Sequence, residues 1–101
     1  MSIIATLISK ESLRNKNMIA EYEREKTFLP KGRITVKSVG NKTYYYLNYR
    51  NGKKIISKYI GKDEHSLQSI KEQLERRKQI EAILKKLKAE QLQLKKLESL
   101  L

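Results

Sequence analysis

"RITVKSVGNKTYYYLNYRNGKKIISKYIGK", residues 33–62, decides the fold. Its first seven residues alternate and are rich in β-branched side chains, the pattern of a half-buried strand. Gly40-Asn41 is a two-residue hairpin signal, "TYYYLNYR" (43–50) is a second strand and "KKIISKYI" (53–60) a third. Asn51-Gly52 between them reads as a type I′ turn, which needs positive φ at both central positions.

Those turns imply a register. With Asn51-Gly52 as the loop, Tyr49 faces Lys54, Leu47 faces Ile56, Tyr45 faces Lys58 and Thr43 faces Ile60. With Gly40-Asn41 as the loop, Val36 faces Tyr45 and Ile34 faces Leu47. Ile34, Val36, Tyr45, Leu47, Tyr49, Ile56 and Ile60 then share one apolar face, which a one-residue slip would destroy. The opposite face carries Arg33, Thr35, Lys37, Tyr44, Tyr46, Asn48, Arg50, Lys53, Ile55, Ser57 and Tyr59.

Helices flank the sheet. Residues 3–29 carry Ile4, Leu7, Ile8, Met18, Ile19 and Tyr22 at three- and four-residue spacing, with Ser2 placed to cap. "SKES" and "NKN" are weak helix formers and mark a place for a break near 9–16, while Pro30 ends the segment. Residues 63–101 read as one long helix capped by Asp63 or Ser66. Leu67, Ile70 and Leu74 start its stripe, and Ile80, Ile83, Leu87, Leu94, Leu97 and Leu101 continue it as a heptad seam with Glu90 as its polar place. Such a helix runs about 57 Å at 1.5 Å per residue, against about 40 Å for the first. The leucine stripe reads either as a core against the first helix or as a homodimer seam; because the first helix is the shorter, the expectation is that Leu87, Leu94, Leu97 and Leu101 lack cover within the chain and form the homodimer seam. The whole is an α+β chain of one domain, 1–101: N-terminal helix (1–31), three-stranded antiparallel β-sheet (32–62) and long C-terminal helix (63–101).

The formal charge of +12 is concentrated. Residues 33–62 hold eight basic and no acidic residues, +8, whereas 1–32 and 63–101 hold +2 each. A concentrated cationic footprint implies a polyanion or an acidic protein surface as partner. Tyrosines stack on unpaired bases and Lys or Arg neutralise phosphates. Arg33, Lys37, Tyr44, Tyr46, Arg50, Lys53 and Tyr59 are therefore the candidate nucleic-acid-binding residues. Against this stands the preference of strands for tyrosine and the use of lysine to guard edges, which does not account for thirty residues without a carboxylate. "RRK" (76–78) and "KKLK" (85–88) read as solvated helix faces with acidic neighbours.

No site for catalysis emerges. Asp63, Glu64 and His65 are adjacent at a helix start, where acidic groups complement the dipole. The chain has no cysteine and no Gly-rich phosphate loop, so neither an enzyme nor a bound metal or cofactor is expected. There is no apolar run of membrane-spanning length and no signal peptide, and a cytoplasmic protein of a bacterial host cell is the expectation.

The stretch "GRITVKSVGNKTYYYLNYRNGKKIISKYIGK" (32–62) followed by a charged helix resembles a small domain of unassigned function. That domain recurs in bacterial, archaeal and mobile-element proteins, and the resemblance covers roughly residues 32–85. In overall style the chain also resembles anti-CRISPR proteins of Gram-positive phages and plasmids, which are short, Lys-rich and free of cysteine. That resemblance implies Cas9, its guide RNA or their complex as target. The +8 sheet departs from acidic DNA-mimicking inhibitors and favours RNA over DNA, or an acidic protein patch. The expected function is non-enzymatic binding of nucleic acid or a nucleoprotein through the sheet. The alternative is a protein-interaction module working through the leucine-rich last helix.

Overall fold

Ser2 closes the first turn of the first helix. Its Oγ accepts a hydrogen bond from the Ala5 amide at 3.1 Å, satisfying one of the donors that a helix start leaves open. The computed structural model describes residues 2–101. It runs α1 (Ile3–Thr27), β1 (Arg33–Val39), β2 (Lys42–Asn51), β3 (Lys54–Gly61) and α2 (Glu64–Ser99). This is the expected α+β order, with a single antiparallel sheet β1-β2-β3. The chain groups into two compact units that cut across the three sequence segments: Met1–Phe28 with Lys78–Leu101, and Leu29–Arg77.

In the first unit α1 is unbroken through Ser9–Ser12 and Asn15–Asn17, where the sequence suggested an interruption. Ser12 and Asn15 are buried, and packing overrides their weak helix propensity. They belong to an inward row, Ala5, Ile8, Ser12, Asn15, Ile19 and Tyr22, at alternating three- and four-residue steps. The matching row on α2 is Ile80, Leu84, Leu87, Gln91 and Leu94, all buried. Two such rows are the two halves of a heptad seam. Asn15 Nδ2 donates to the Leu87 carbonyl at 3.0 Å, and in the second unit Arg77 Nη1 donates to the Leu29 carbonyl at 3.0 Å. Rising numbers on one side meet falling numbers on the other, so the two helices run antiparallel. Glu23 and Lys88 pair across them at 2.8 Å. Side chains lean toward their own helix N-terminus, which tips these two toward each other in an antiparallel pair. The hydrogen bond from Lys88 holds the Glu23 carboxyl below the usual glutamate value.

The cover of the leucine seam corrects the expectation drawn from helix lengths. Leu87 and Leu94 are each only 8% exposed within a single chain, because α1 folds back over them. Leu97 and Leu101 lie beyond that cover and stay largely exposed. Gln91, not Glu90, takes the polar place in the seam. It stands opposite Ser12, one layer from Asn15. Ser12 Oγ, Asn15 Oδ1 and both Gln91 amide atoms are closed to water with no hydrogen-bond partner in the chain.

The second unit holds the sheet and the first turns of α2, which contribute half-buried Leu67, Ile70 and Leu74. The β1–β2 register is as expected, with Ile34 facing Leu47, Val36 facing Tyr45 and Val39 facing Lys42 around Gly40-Asn41. The β2–β3 register differs. Asn51 remains in the ladder opposite Lys54, so the turn residues are Gly52-Lys53. Gly40 and Gly52 have φ of 62° and 64°, and among the described residues no other residue type has positive φ. Positive φ at the first central position alone is the signature of a type II′ turn, which puts glycine first rather than second. Pairing therefore moves by two residues: Tyr49 faces Ile56 and Leu47 faces Lys58. A shift of two keeps every side chain on its face. Past Tyr46 the register slips again, so that Tyr45 faces Gly61 and Ile60 is the extra residue of a bulge. Leu47 is the buried centre of the apolar face, at 5% exposure, and Val36 at the edge strand is 57% exposed.

Asp63 starts α2. Its Oδ1 accepts from the Ser66 amide at 2.7 Å, and that bond holds the Asp63 carboxyl below the usual aspartate value. Among the described residues no helix is long and apolar enough to cross a membrane.

Two outcomes are expected. Gln91→Leu, which removes two unpartnered buried atoms at similar volume, should stabilise the helical pair by about 1–2 kcal/mol in urea denaturation; a loss of stability would show that the amide is bonded in solution. A carboxyl with lowered folded pKa contributes stability that is complete above its unfolded value, about 3.9 for Asp, and lost as pH falls through the lower folded value. Wild type should therefore lose more stability on acidification than Asp63→Asn, whose cap does not titrate. Parallel pH profiles of melting temperature would contradict the cap.

Candidate nucleic-acid interface

The ladder determines what sits on the outward face of the sheet. In β1, odd-numbered residues point outward, in β2 even-numbered ones, and in β3 Ile55, Ser57 and Tyr59. Five rows result, about 6.8 Å apart along the strands. They are Val39–Lys42, Lys37–Tyr44, Thr35–Tyr46–Tyr59, Arg33–Asn48–Ser57 and Arg50–Ile55. Six of the seven residues singled out from the sequence, Arg33, Lys37, Tyr44, Tyr46, Arg50 and Tyr59, thus share one face. Lys53 is in the Gly52-Lys53 turn, outside the ladder.

The tyrosines occupy the centre of that face. Tyr59 packs against Tyr46 with ring centroids 5.5 Å apart and against Tyr44 at 6.3 Å, both tilted, the geometry that aromatic quadrupoles favour. Tyr44 and Tyr46 are half-buried by these contacts, and Tyr59 is 50% exposed. Lys37 Nζ sits 4.9 Å from the Tyr46 ring centroid, a cation–π distance. Cations flank the cluster on both sides, Lys37 and Lys42 toward the first turn and Arg33 and Arg50 toward the second. Residues 33–62 contain no carboxylate, so none of these cations meets an acidic partner from the sheet itself.

Three further residues of the face were not singled out from the sequence. Lys42 adds a fourth ladder cation to this face. Thr35 and Asn48 lie in neighbouring rows beside Tyr46, and Thr35 Oγ1 and Asn48 Oδ1 are closed to water with no hydrogen-bond partner in the chain. Asparagine is depleted in strands, so Asn48 amid "TYYYLNYR" was a signal available in the sequence. Val39 and Ile55, 66% and 71% exposed, give the face an aliphatic border at each end. Chemically, the surface offers aromatic faces and positive charge, and no acid–base pair. Asp63 is engaged as a helix cap, and among the described residues no group of three or more His, Cys, Asp or Glu comes together.

Comparison with known proteins adds one relationship. No curated protein and no solved structure matches the chain. A family model described as "Domain of unknown function (DUF6788)" matches residues 8–69, which takes in most of α1, the whole sheet with its tyrosine face and the start of α2. With well over half of its residues inside that match, the chain belongs to the DUF6788 family.

Proposed function

We propose that this protein binds nucleic acid, free or within a nucleoprotein, through the outward face of its sheet, and that it does so without catalysis. The observation that carries the proposal is the cluster Tyr44, Tyr46 and Tyr59 with Lys37 against it and Arg33, Lys42 and Arg50 around it. Each tyrosine offers a ring on which an unpaired base stacks, at about 1–3 kcal/mol per base, and each cation can neutralise a phosphate. Single strands suit such a platform better than a duplex, whose bases are already stacked. RNA is the first candidate, because its recognition centres on single-stranded loops and ends with splayed bases. The most specific form of the proposal is a protein that inhibits type II-A Cas9 at its guide RNA or the Cas9–guide complex. It is supported by the small, Lys-rich, cysteine-free composition and the uncompensated charge of residues 33–62. A second reading, an interaction module using the last helix, is favoured by the exposed leucines at the end of α2.

Two measurements bear on the sheet. Binding of a fluorescent single-stranded RNA, followed by anisotropy, should weaken with salt at a log–log slope of about −0.7 per phosphate contacted. Replacing Arg33 and Arg50 by Gln should flatten the slope, and a salt-independent affinity in wild type would refute the electrostatic part. Tyr59→Ala, at a half-exposed position, should lower the melting temperature modestly through loss of its contacts with Tyr44 and Tyr46, leave the fold intact, and weaken binding by about 5- to 150-fold, the equivalent of one lost stacking contact. Unchanged affinity would refute stacking on this cluster. For the finer proposal, the chain should bind Cas9 carrying its guide more tightly than Cas9 alone; equal binding to both would move the target to the protein surface.

A further inference from the structure

Six large aliphatic residues collect at one end of the helical pair. They are Ile3, Ile4 and Leu7 at the start of α1 and Leu97, Leu100 and Leu101 at the end of α2, each between 45 and 81% exposed. Antiparallel pairing, with Asn15 against Leu87, brings the start of α1 beside the end of α2. Three of them, Ile4, Leu7 and Leu97, also share a flank. Glu11, Arg14, Met18 and Glu90 line one groove over Asn15 and Leu87, so these positions of α1 and α2 face the same side of the pair. Ile4 and Leu7 stand one heptad before Glu11 and Arg14, and Leu97 stands one heptad after Glu90. The heptad repeat therefore continues that flank from a charged groove into an apolar strip.

We propose that a second copy of this chain covers this strip, pairing flank to flank so that two helical pairs form a four-helix bundle at that end. The pattern itself argues for more than two helices. Through the middle, the buried rows are narrow, as a two-helix seam requires. In the first heptad of α1, through Ile4 and Leu7, and at the end of α2, through Leu97 with Leu100 and Leu101 just past Ser99, the apolar surface widens beyond the seam positions, which is the pattern of a helix that faces a bundle core. Together the six residues expose on the order of 700 Å² of residue surface, backbone included, against roughly 300–600 Å² for the largest apolar patch on a typical monomer. That is close to the roughly 800 Å² each partner contributes to a stable interface. A two-fold axis at the strip sets the Ile3-Ile4-Leu7 group of one copy against the Leu97-Leu100-Leu101 group of the other, a self-complementary contact. Lipid is a poorer match, because the strip runs directly into Glu11 and Glu90 and carries no aromatic residue. The proposal is independent of nucleic-acid binding by the sheet, and either stands if the other fails.

The test is sedimentation equilibrium of the full chain from low to high micromolar concentration. Four proteins are compared: wild type, Ile4→Lys with Leu100→Lys, the milder Leu7→Ser with Leu101→Ser, and Leu13→Lys with Leu92→Lys. The last pair alters two leucines that are also exposed but one seam step away from the strip. Circular dichroism on each variant reports whether the helices are intact. Wild type and the Leu13/Leu92 variant should rise from one-chain to two-chain mass, while the two strip variants stay at one-chain mass with unchanged helical signal. If Ile4→Lys with Leu100→Lys lowers the helical signal, the serine variant decides. Wild type that remains one chain throughout overturns the proposal, as does a dimer that survives in a folded strip variant. A one-chain wild type that co-sediments with anionic phosphatidylserine vesicles, when the strip variants do not, overturns it in favour of a lipid surface.

Discussion

The alternation of β2 is the constraint on which the sheet and its candidate function depend. Leu47 points to one side, at 5% exposure, and Tyr46 and Asn48 beside it point to the other, into the face with Tyr44, Tyr59 and Arg33. β2 is the central strand and is paired along both edges. A slip by one residue would put Leu47 in water and the tyrosines in the core, so burial of Leu47 and display of the tyrosines are one decision. Two turns of the same kind hold it, each with glycine at positive φ in its first central position. The strand can therefore carry an unusual load of aromatic and cationic side chains on one face without losing its register.

The helical pair solves a different problem. Its seam alternates in the heptad manner, yet three polar residues, Ser12, Asn15 and Gln91, are buried along it. Among the described residues only one of their side-chain bonds, Asn15 to the Leu87 carbonyl, is made. A buried polar layer lowers stability but fixes register, because a slide of one heptad would set Gln91 and Asn15 against leucine or isoleucine. Glu23 with Lys88 adds an exposed pair that contributes little to stability. Ile80, with no exposed surface, and Leu84 supply the apolar anchor.

Much of this was legible in the residues, and the parts that were not share a cause. The element order and the β1–β2 register follow from alternation and from Gly40-Asn41, because only one placement of that turn buries Ile34 against Leu47. The β2–β3 pairing read from the sequence is two residues off, since Asn51-Gly52 reads as the whole turn with glycine second, whereas glycine stands first in Gly52-Lys53. The face assignment survived because an even shift preserves it. The seam of α2 was read from leucines and isoleucines alone, which selects Ile83, Leu97 and Leu101 and passes over Gln91. For the same reason the sequence leaves α1 and a second chain as competing covers for that seam: the middle of the inward row of α1 is Ser12 and Asn15, residues that apolar periodicity does not count. On the sheet, strand alternation places Thr35 and Asn48 on the outward face, but that Thr35 Oγ1 and Asn48 Oδ1 are closed to water without a partner among the described residues is visible only in three dimensions.

The most direct measurement of the central claim is residue-by-residue: amide and side-chain chemical shifts of the labelled protein during titration with a short single-stranded RNA. Recognition by the outward face predicts saturable shifts concentrated at Arg33, Thr35, Lys37, Tyr44, Tyr46, Asn48, Arg50 and Tyr59, with the aromatic protons of Tyr59, the most exposed ring of the cluster, moving most. The opposite face, at Ile34, Leu47 and Ile56, should stay nearly still. Saturable shifts centred on the helical pair with a silent sheet, or no saturable shifts at all, would contradict it.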